Sequence, residues 1–440
     1  MPEKNQPQNL PEEWKRVKLG EIGEFKTSGV DKKIKEKEKI VNLVNYMDVY
    51  KNHFITKNLD FMKVSANLHQ IRSNSVRKGD ILFTPSSETP EDIGHSAVIV
   101  DDLNDTLYSY HLVRFRLKNQ SVMDLKFRGY IFNSYQVLHQ FESLATGVTR
   151  FTLSKKDFES VYVIFPRNIK EQQKIAEILE TVDNAVEKTD KIIEKYKRIK
   201  QGLMQDLLTK GIDENGNIRN PKTHKFKDSP LGKIPEEWEV VRLGDKRIID
   251  LITDGSHYSP KEVSESNYLI ANIENIRNGK IDINSCKKIS KEDFKLLEKN
   301  NCKPIHNDVL FTKDGTIGLS LVYEEKNVNL VLLSSIAIIR PKEYQLNSYF
   351  LKHVLSSQIV KRQIYILGGG SALKRIVLKD LKKFQIPLPP LSEQKRIAEV
   401  LFQIDQTIEK ETAYKEKLQH IKKGLMEDLL TGKVRVIANF

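Results

Sequence analysis

The chain has 440 residues, with 72 Lys and Arg against 59 Asp and Glu, for a formal charge of +13. That length supports two or three domains with cores of their own, and the charge favours a polyanionic partner such as nucleic acid. Two cysteines, Cys286 and Cys302, lack a CxxC spacing, and the longest apolar run, NLVLLSSIAII at 329–339, falls well short of the ~20 residues of a membrane span, so disulfide scaffolds, zinc ribbons and membrane-spanning helices are excluded and a cytoplasmic location fits best.

Residues 1–10 form a polar tail without the apolar stretch of a secretory signal. Residues 11–166 read as a first mixed α/β domain. ILFT at 81–84, SAVIV at 96–100 and HLVRFRL at 111–117 predict strands, and GYIFNSYQVLHQFES at 129–143 predicts helix. Asp80, just ahead of a strand, reads as a turn aspartate, not a catalytic one. A long helix follows over 167–210. Its apolar positions, Ile175, Ile178, Leu179, Val182, Val186, Ile193, Tyr196, Ile199, Leu203 and Leu207, are spaced mainly by threes and fours. So narrow a stripe is the seam of a coiled coil or bundle and not of a helix on a broad sheet. Asn168 with Glu171 predicts a capping box, and an unbroken helix here would be ~60 Å long at 1.5 Å per residue. Gly202 in the helix interior predicts a close helix crossing, against the other long helix or a partner, with a helix break as the alternative.

Residues 211–233, rich in Gly, Asn, Pro and charge, read as a linker. The second domain, 234–389, offers YLIANI at 268–273, VLFT at 309–312, LSLVY at 319–323 and SSIAIIR at 334–340 as strands, with 329–339 as one or two buried strands. Asp308 is a second turn aspartate, and NSYFLKHVLSSQIVKRQI at 347–364 predicts helix. A second long helix fills 390–434, starting at Ser392 and Glu393. Its stripe is Ile397, Val400, Leu401, Ile404, Ile408, Tyr414, Leu418, Ile421, Leu425 and Leu429, with Gly424 matching Gly202. Residues 435–440 are a tail.

The two halves are one plan used twice. EQQKIAEILETVD at 171–183 returns as EQKRIAEVLFQID at 393–405, identical at seven of thirteen positions at an offset of 222, and QGLMQDLLT at 201–209 returns as KGLMEDLLT at 423–431. LPEEWKRVKLG at 10–20 returns as IPEEWEVVRLG at 234–244, and KGDILFT at 78–84 as HNDVLFT at 306–312. A repeat this long is a tandem pair of domain-plus-helix units, because solenoid repeats run ~20–50 residues. The ends of the halves match while the interiors differ, which predicts a common scaffold with two different surfaces.

These motifs, with TIG at 316–318, resemble the DNA-specificity subunits of type I restriction-modification systems, in order and across nearly the whole chain. The resemblance implies a mixed α/β (α+β) fold in which two similar target-recognition domains are separated by a long antiparallel two-helix coiled coil, related by a pseudo-twofold axis. The seam would hold Ile175, Leu179, Val182, Val186, Ile193, Tyr196, Leu203, Ile397, Leu401, Ile404, Ile408, Leu418 and Leu425. It further implies a non-catalytic chain without a cofactor or metal of its own. The partners would be double-stranded DNA, two modification subunits that methylate adenine with S-adenosylmethionine, and two restriction subunits that translocate and cut, with ATP and Mg on the partners. The first half departs from the pattern after its LFT strand, having PSSETPEDIGHS at 85–96 where the second has KDGTIG, so loop contacts do not transfer between halves.

Two unlike domains on a stiff strut suit a split, asymmetric target, because half-sites are read about one helical turn, ~34 Å, apart. Phosphate contacts would supply salt-sensitive affinity, and base-edge contacts discrimination of ~1–3 kcal/mol each. Candidate DNA contacts lie in polar loops beside the predicted strands. They are Arg72, Thr84, Ser86, Ser87, Arg114, Thr149 and Arg150 in the first domain, and Ser256, His257, Tyr258, Thr312, Lys313, Thr316, Ser371, Lys374 and Arg375 in the second. The loops TGVTR at 146–150 and GGGSALKR at 368–375 stand out, since small residues ahead of a basic one permit close approach to a phosphate. The competing reading is a coiled-coil assembly scaffold without sequence-specific DNA binding. A self-contained methylase or nucleotide site is set aside: no Asn-Pro-Pro-Tyr or Asp-Pro-Pro-Tyr occurs, and GGGS lacks the Gly-Lys-Ser/Thr of a Walker A loop.

Overall fold

The computed structural model describes residues 10–369 and 375–436. The chain forms two compact units, Met1–Asp190 with Ala413–Phe440, and Lys191–Thr412. Each unit includes part of both long helices, Ile169–Leu207 and Leu391–Leu430.

In the first unit a five-stranded sheet runs in the order Gly23–Thr27, Val113–Leu117, Ile81–Phe83, Ser96–Ile99, Phe54–Ile55. A smaller sheet centres on Lys39–Val44, antiparallel to Met62–Ala66 and parallel to Thr106–Tyr108. Trp14–Lys18 pairs with Tyr162–Pro166 and ties the start of the domain to its end. The main core is aromatic, with the Phe25 and Phe115 rings stacked at 4.5 Å and Phe83 edge-on to Phe132 and Phe141 at 5.7 Å.

The second unit repeats this topology. Its larger sheet runs Ile249–Asp254, Ile336–Pro341, Val309–Thr312, Ser320–Val322. Its smaller sheet places Tyr268–Ala271 between antiparallel Lys287–Ile289 and parallel Asn329–Leu332. Glu239–Arg242 pairs with Gln385–Leu388 as the closing ribbon. The interiors that differ in sequence thus share one order for their common strands, and the first unit's larger sheet adds the edge strand Phe54–Ile55, which has no counterpart in the second unit's larger sheet. NLVLLSSIAII supplies two strands that go to different sheets, each buried along most of its length, hence an apolar run in place of alternation. Each predicted helical stretch is likewise two helices, Leu125–Ile131 then Tyr135–Leu144, and Ser348–Ser356 then Gln358–Leu367.

Within each unit, stretches of the two long helices run antiparallel. In the first, Asp183 pairs with Lys422 and Asp190 with Lys415, both at 2.6 Å, so numbers rise on one helix as they fall on the other. In the second, Lys200 pairs with Asp405, and Leu207 and Leu208 share a core with Ile397 and Leu401. Ile175, Leu179, Ile193, Ile397, Leu401 and Leu418 are buried, while Val182, Val186, Tyr196, Leu203, Ile404, Ile408 and Leu425 are half-buried. Four members of the wider stripe, Ile199, Val400, Tyr414 and Ile421, are exposed instead.

The helix starts also depart from expectation. Ile175, Ala176 and Leu179 belong to the first domain's aromatic core and Ile397, Ala398 and Leu401 to the second domain's core, so there the stripe packs on a globular body. Leu429 and Leu430 enter the core around Trp14, and Leu207 and Leu208 the core around Trp238. Gly202 and Gly424 mark neither a break nor a close crossing within the chain: both sit in continuous helix, and an added Cβ at either would meet nothing within 4 Å.

At both helix starts, the expected capping box at Asn168 and the start at Ser392, the glutamate instead forms a long-range clamp. Asn168 accepts from Lys170 N, but the buried Glu171 binds Arg435 with both carboxylate oxygens at 2.7 and 2.9 Å. Ser392 lies inside its helix, and the buried Glu393 accepts from Arg219 at 2.5 and 3.1 Å, from Trp238 Nε1 at 3.1 Å and from Ile212 N at 2.9 Å. The neighbouring glutamines match as well. Gln172 accepts from Asp124 N and donates to Pro166 O, and Gln394 accepts from Asn347 N and donates to Pro389 O. A carboxylate is tolerated in such a place only when paired and hydrogen-bonded, which is why the Glu-Gln dipeptide recurs with an arginine supplied from afar. The stretch read as a linker is thus ordered at Arg219, and Phe226–Ser229 and Gly232–Pro235 form a hairpin that joins its end to the second domain.

Candidate nucleic-acid interface

Both domains build a loop cluster at the end of the GDILFT-type strand, and both anchor that strand the same way. Asp80 accepts from Arg77 N at 2.8 Å to close a turn and binds Arg116 twice, at 2.6 and 2.7 Å. Asp308 accepts from Ile305 N at 2.8 Å and binds Arg340 twice, at 2.8 Å each. Hydrogen bonding to the aspartate raises each guanidinium above its ordinary pKa. The turn aspartates therefore also hold paired arginines from a neighbouring strand, which keeps the strand ends and their loops in place.

In the first domain, Ser86–Ser87 pairs antiparallel with Phe151–Thr152 and brings the TGVTR loop alongside, where Arg150 Nη2 donates to Ser86 Oγ at 3.0 Å. Thr149 and Arg150 are exposed and Ser86 half-buried. Thr84 and Ser87 are buried, donating to His95 O and Thr89 O, so they shape the loop and do not face solvent. The helix Tyr46–Tyr50 packs against this loop, with its two end tyrosines stacked at 5.9 Å. Tyr50 Oη donates to the Asp92 carboxylate, 2.9 and 3.0 Å from its two oxygens, and His95 Nε2 lies 3.1 Å from Asp92 Oδ1. The bond to Asp92 raises the Tyr50 hydroxyl above its ordinary pKa. Tyr46, Tyr50, Asp92 and His95 escaped the sequence reading; the available signal was two tyrosines one helical turn apart.

Arg72 and Arg114 are not part of this cluster. Arg72 is exposed in the last turn of the helix Leu68–Asn74. Arg114 is buried, donating to Ser75 O at 3.2 Å with its guanidinium 5.6 Å from the Tyr108 ring centre, and burial lowers its pKa. Its charge is spent inside the domain, which removes it as a phosphate contact.

In the second domain a bridge between Asp314 and Arg375 brings the corresponding loops together, with Arg375 Nε 3.3 Å from Asp314. Thr312 is buried, accepting from Leu319 N and donating to Thr316 O. Lys313 is also buried, its Nζ 3.0 Å from Asp254 Oδ1, so it is a paired interior lysine and not a phosphate contact. Ser256 is buried and donates to Tyr258 O at 2.6 Å. His257, Tyr258, Thr316 and Arg375 are exposed, and His257 Nε2 lies 3.6 Å from Asp254. Ser371 and Lys374 lie outside the described residues.

One topology thus presents two chemistries at one position. The first domain offers tyrosine hydroxyls, a carboxylate and an arginine; the second offers histidine, tyrosine and an arginine beside an aspartate. Such mixtures of cationic, aromatic and hydrogen-bonding groups suit contacts to phosphates and base edges. A family model described as the type I restriction modification DNA specificity domain matches residues 11–198 and 235–420. The type I restriction enzyme MjaVIII specificity subunit of Methanocaldococcus jannaschii is 28% identical over 446 residues, covering 97% of this chain and 94% of that protein. The S subunit of a type I restriction-modification system from M. genitalium superposes with a TM-score of 0.54 at 14% identity, covering 94% of this chain and 96% of that one. A chain solved in work on assembly and conformational transition of the type I R-M system gives 0.57 at 19% identity, covering 97% of this chain and 100% of that one. With two matched domains spanning most of its length and the same fold, this chain belongs to the family of type I restriction-modification DNA-specificity subunits.

Proposed function

We propose that this chain is the non-catalytic, sequence-reading subunit of a cytoplasmic type I restriction-modification complex, recognising an asymmetric two-part DNA target with one half read by each domain. The observation that carries this reading is the divergence of the two loop clusters on a shared topology: equal scaffolds reading equal sequences would have no reason to differ there. The long helices, 39 and 40 residues, are ~60 Å each and would set the gap between half-sites. They would also dock the modification subunits. Ile192, Ile199 and Gly202 lie along one side of the first helix and recur as Tyr414, Ile421 and Gly424 on the second, all exposed, which suits a pair of like partners. Methylation of adenine, translocation and cleavage would belong to those partners and the restriction subunits.

The test is selection from a random DNA library by the chain assembled with its modification partners. A two-part motif with a fixed gap is the expected outcome; recovery of no motif would favour a scaffold without sequence-specific binding.

A further inference from the structure

The first domain's loop cluster contains a group that phosphate binding does not explain. Asp92 is a carboxylate whose side chain is 47% exposed, in the loop whose Ser86 accepts from Arg150. A DNA backbone offers only anionic and neutral acceptors, so a carboxylate placed over it would be repelled. The donors on duplex DNA that can meet a carboxylate in the major groove are the exocyclic amino groups, N4 of cytosine and N6 of adenine.

Asp92 is also held in place, as a reading group must be. Tyr50 Oη reaches both of its oxygens, at 2.9 and 3.0 Å, and His95 Nε2 lies 3.1 Å from Oδ1, with the His95 ring edge-on to Tyr50 at 5.1 Å. The loop is fixed from behind at Gly94, which has a φ of +81° and lies so close to Phe141 that an added Cβ would fall 2.4 Å from its ring. An ionised carboxylate has about four acceptor positions, so these partners leave room for a further donor. The second domain handles its acids differently: Asp254 pairs with the buried Lys313 and Asp314 with Arg375.

We infer that Asp92, oriented by Tyr50 and His95, is a specificity-determining residue that accepts a hydrogen bond from the exocyclic amino group of a cytosine or adenine in the half-site read by the first domain. This rests on the DNA-reading function proposed above. Arg150, which donates to Ser86 of the same loop, would hold a nearby phosphate.

The experiment repeats the library selection with the assembled complex carrying Asp92→Asn, Asp92→Ala or Tyr50→Phe. Asp92→Ala is expected to relax preference at one base position by roughly 5- to 150-fold, leaving the other half-site and the gap unchanged. Asp92→Asn, which keeps the shape and adds a donor, should shift or broaden the base chosen at that same position. Tyr50→Phe, which keeps the carboxylate but loses its orienting bond, should relax the same position less. An unchanged first half-site in Asp92→Asn and Asp92→Ala would overturn the assignment, as would an even loss of affinity across both halves. A wild-type complex that selects no two-part motif would instead overturn the DNA-reading function itself.

Discussion

Because the halves are repeats, single residues can be compared with their own counterparts. His353 is 1% exposed, and its counterpart 223 positions earlier, Tyr130, is also fully buried, the offset being fixed by the matching N-caps Asp124 and Asn347. Burial, then the nearby charge of Lys352, hold the His353 pKa down to about 3, and its Nε2 meets no hydrogen-bond partner among the described residues. An unfolded histidine titrates near ~6.5, so as pH falls the unfolded chain takes up the proton first. The stability contribution is therefore present above pH ~6.5 and lost as pH falls toward about 3, amounting to about 2 kcal/mol between pH 7 and pH 5. His353→Leu, an apolar side chain with no group to titrate, should raise the thermal midpoint more at pH 5 than at pH 7; equal shifts would show that the buried imidazole is not the source. The clamps predict a second asymmetry. Arg219 is only 10% exposed on Glu393, whereas Arg435 is 33% exposed on Glu171. Glu393→Gln leaves a largely buried guanidinium with only the half-exposed Glu237 as an anion and takes a buried acceptor from Trp238 Nε1 and Ile212 N, and should cost about 2–3 kcal/mol in thermal or denaturant unfolding. Glu171→Gln should cost well under that, since water and Glu13 still reach Arg435.

At the scale of elements, the exposed stripe separates folding from docking. Gly202 and Gly424 have open space above them, so Gly202→Ala and Gly424→Ala should each stabilise the isolated chain by about 0.5–1 kcal/mol. Ile199→Asp with Ile421→Asp should leave its melting nearly unchanged, because both side chains face solvent, yet reduce capture of the modification subunit at least ten-fold. Undiminished capture would remove this side of the helices as the docking surface. The same stripe shows what sequence can and cannot reveal. Spacing by threes and fours located both long helices but did not distinguish the buried side, with Leu179 and Leu401, from the exposed one, with Ile199 and Ile421. The strand runs were legible because their apolar residues are contiguous and bounded by turns. Glu171 and Glu393 looked like caps because a glutamate three residues after an Asn or beside a Ser reads alike in either role. Their actual partners, Arg435 and Arg219, lie far along the chain, where periodicity carries no information. Lys313 and Arg114 looked like phosphate ligands for the same reason: a basic residue by a strand gives no local sign that Asp254 or the Tyr108 ring will enclose it.

At the scale of the whole chain, the repeat keeps the clamps, the strand-anchoring ion pairs and the topology constant while the loop clusters vary. If the helices set the gap between half-sites, changing their length should change the gap and nothing else. The helices must be lengthened together, because Asp183–Lys422 and Lys200–Asp405 fix their register. Seven residues inserted after Lys191 and seven after Ala413, its counterpart 222 positions on, leave Asp190–Lys415 and the other ion pairs matched, preserve the phase of the stripe at two turns and add ~10 Å to each helix. At ~3.4 Å per base pair, the selected motif should widen by about three base pairs with both half-sequences unchanged. The same insertion in one helix alone would displace every ion pair beyond it by ~10 Å, and should lower stability instead of yielding a new gap. Half-sequences that changed while the gap stayed constant would show that the helices do not measure the target, and that spacing is set within the domains.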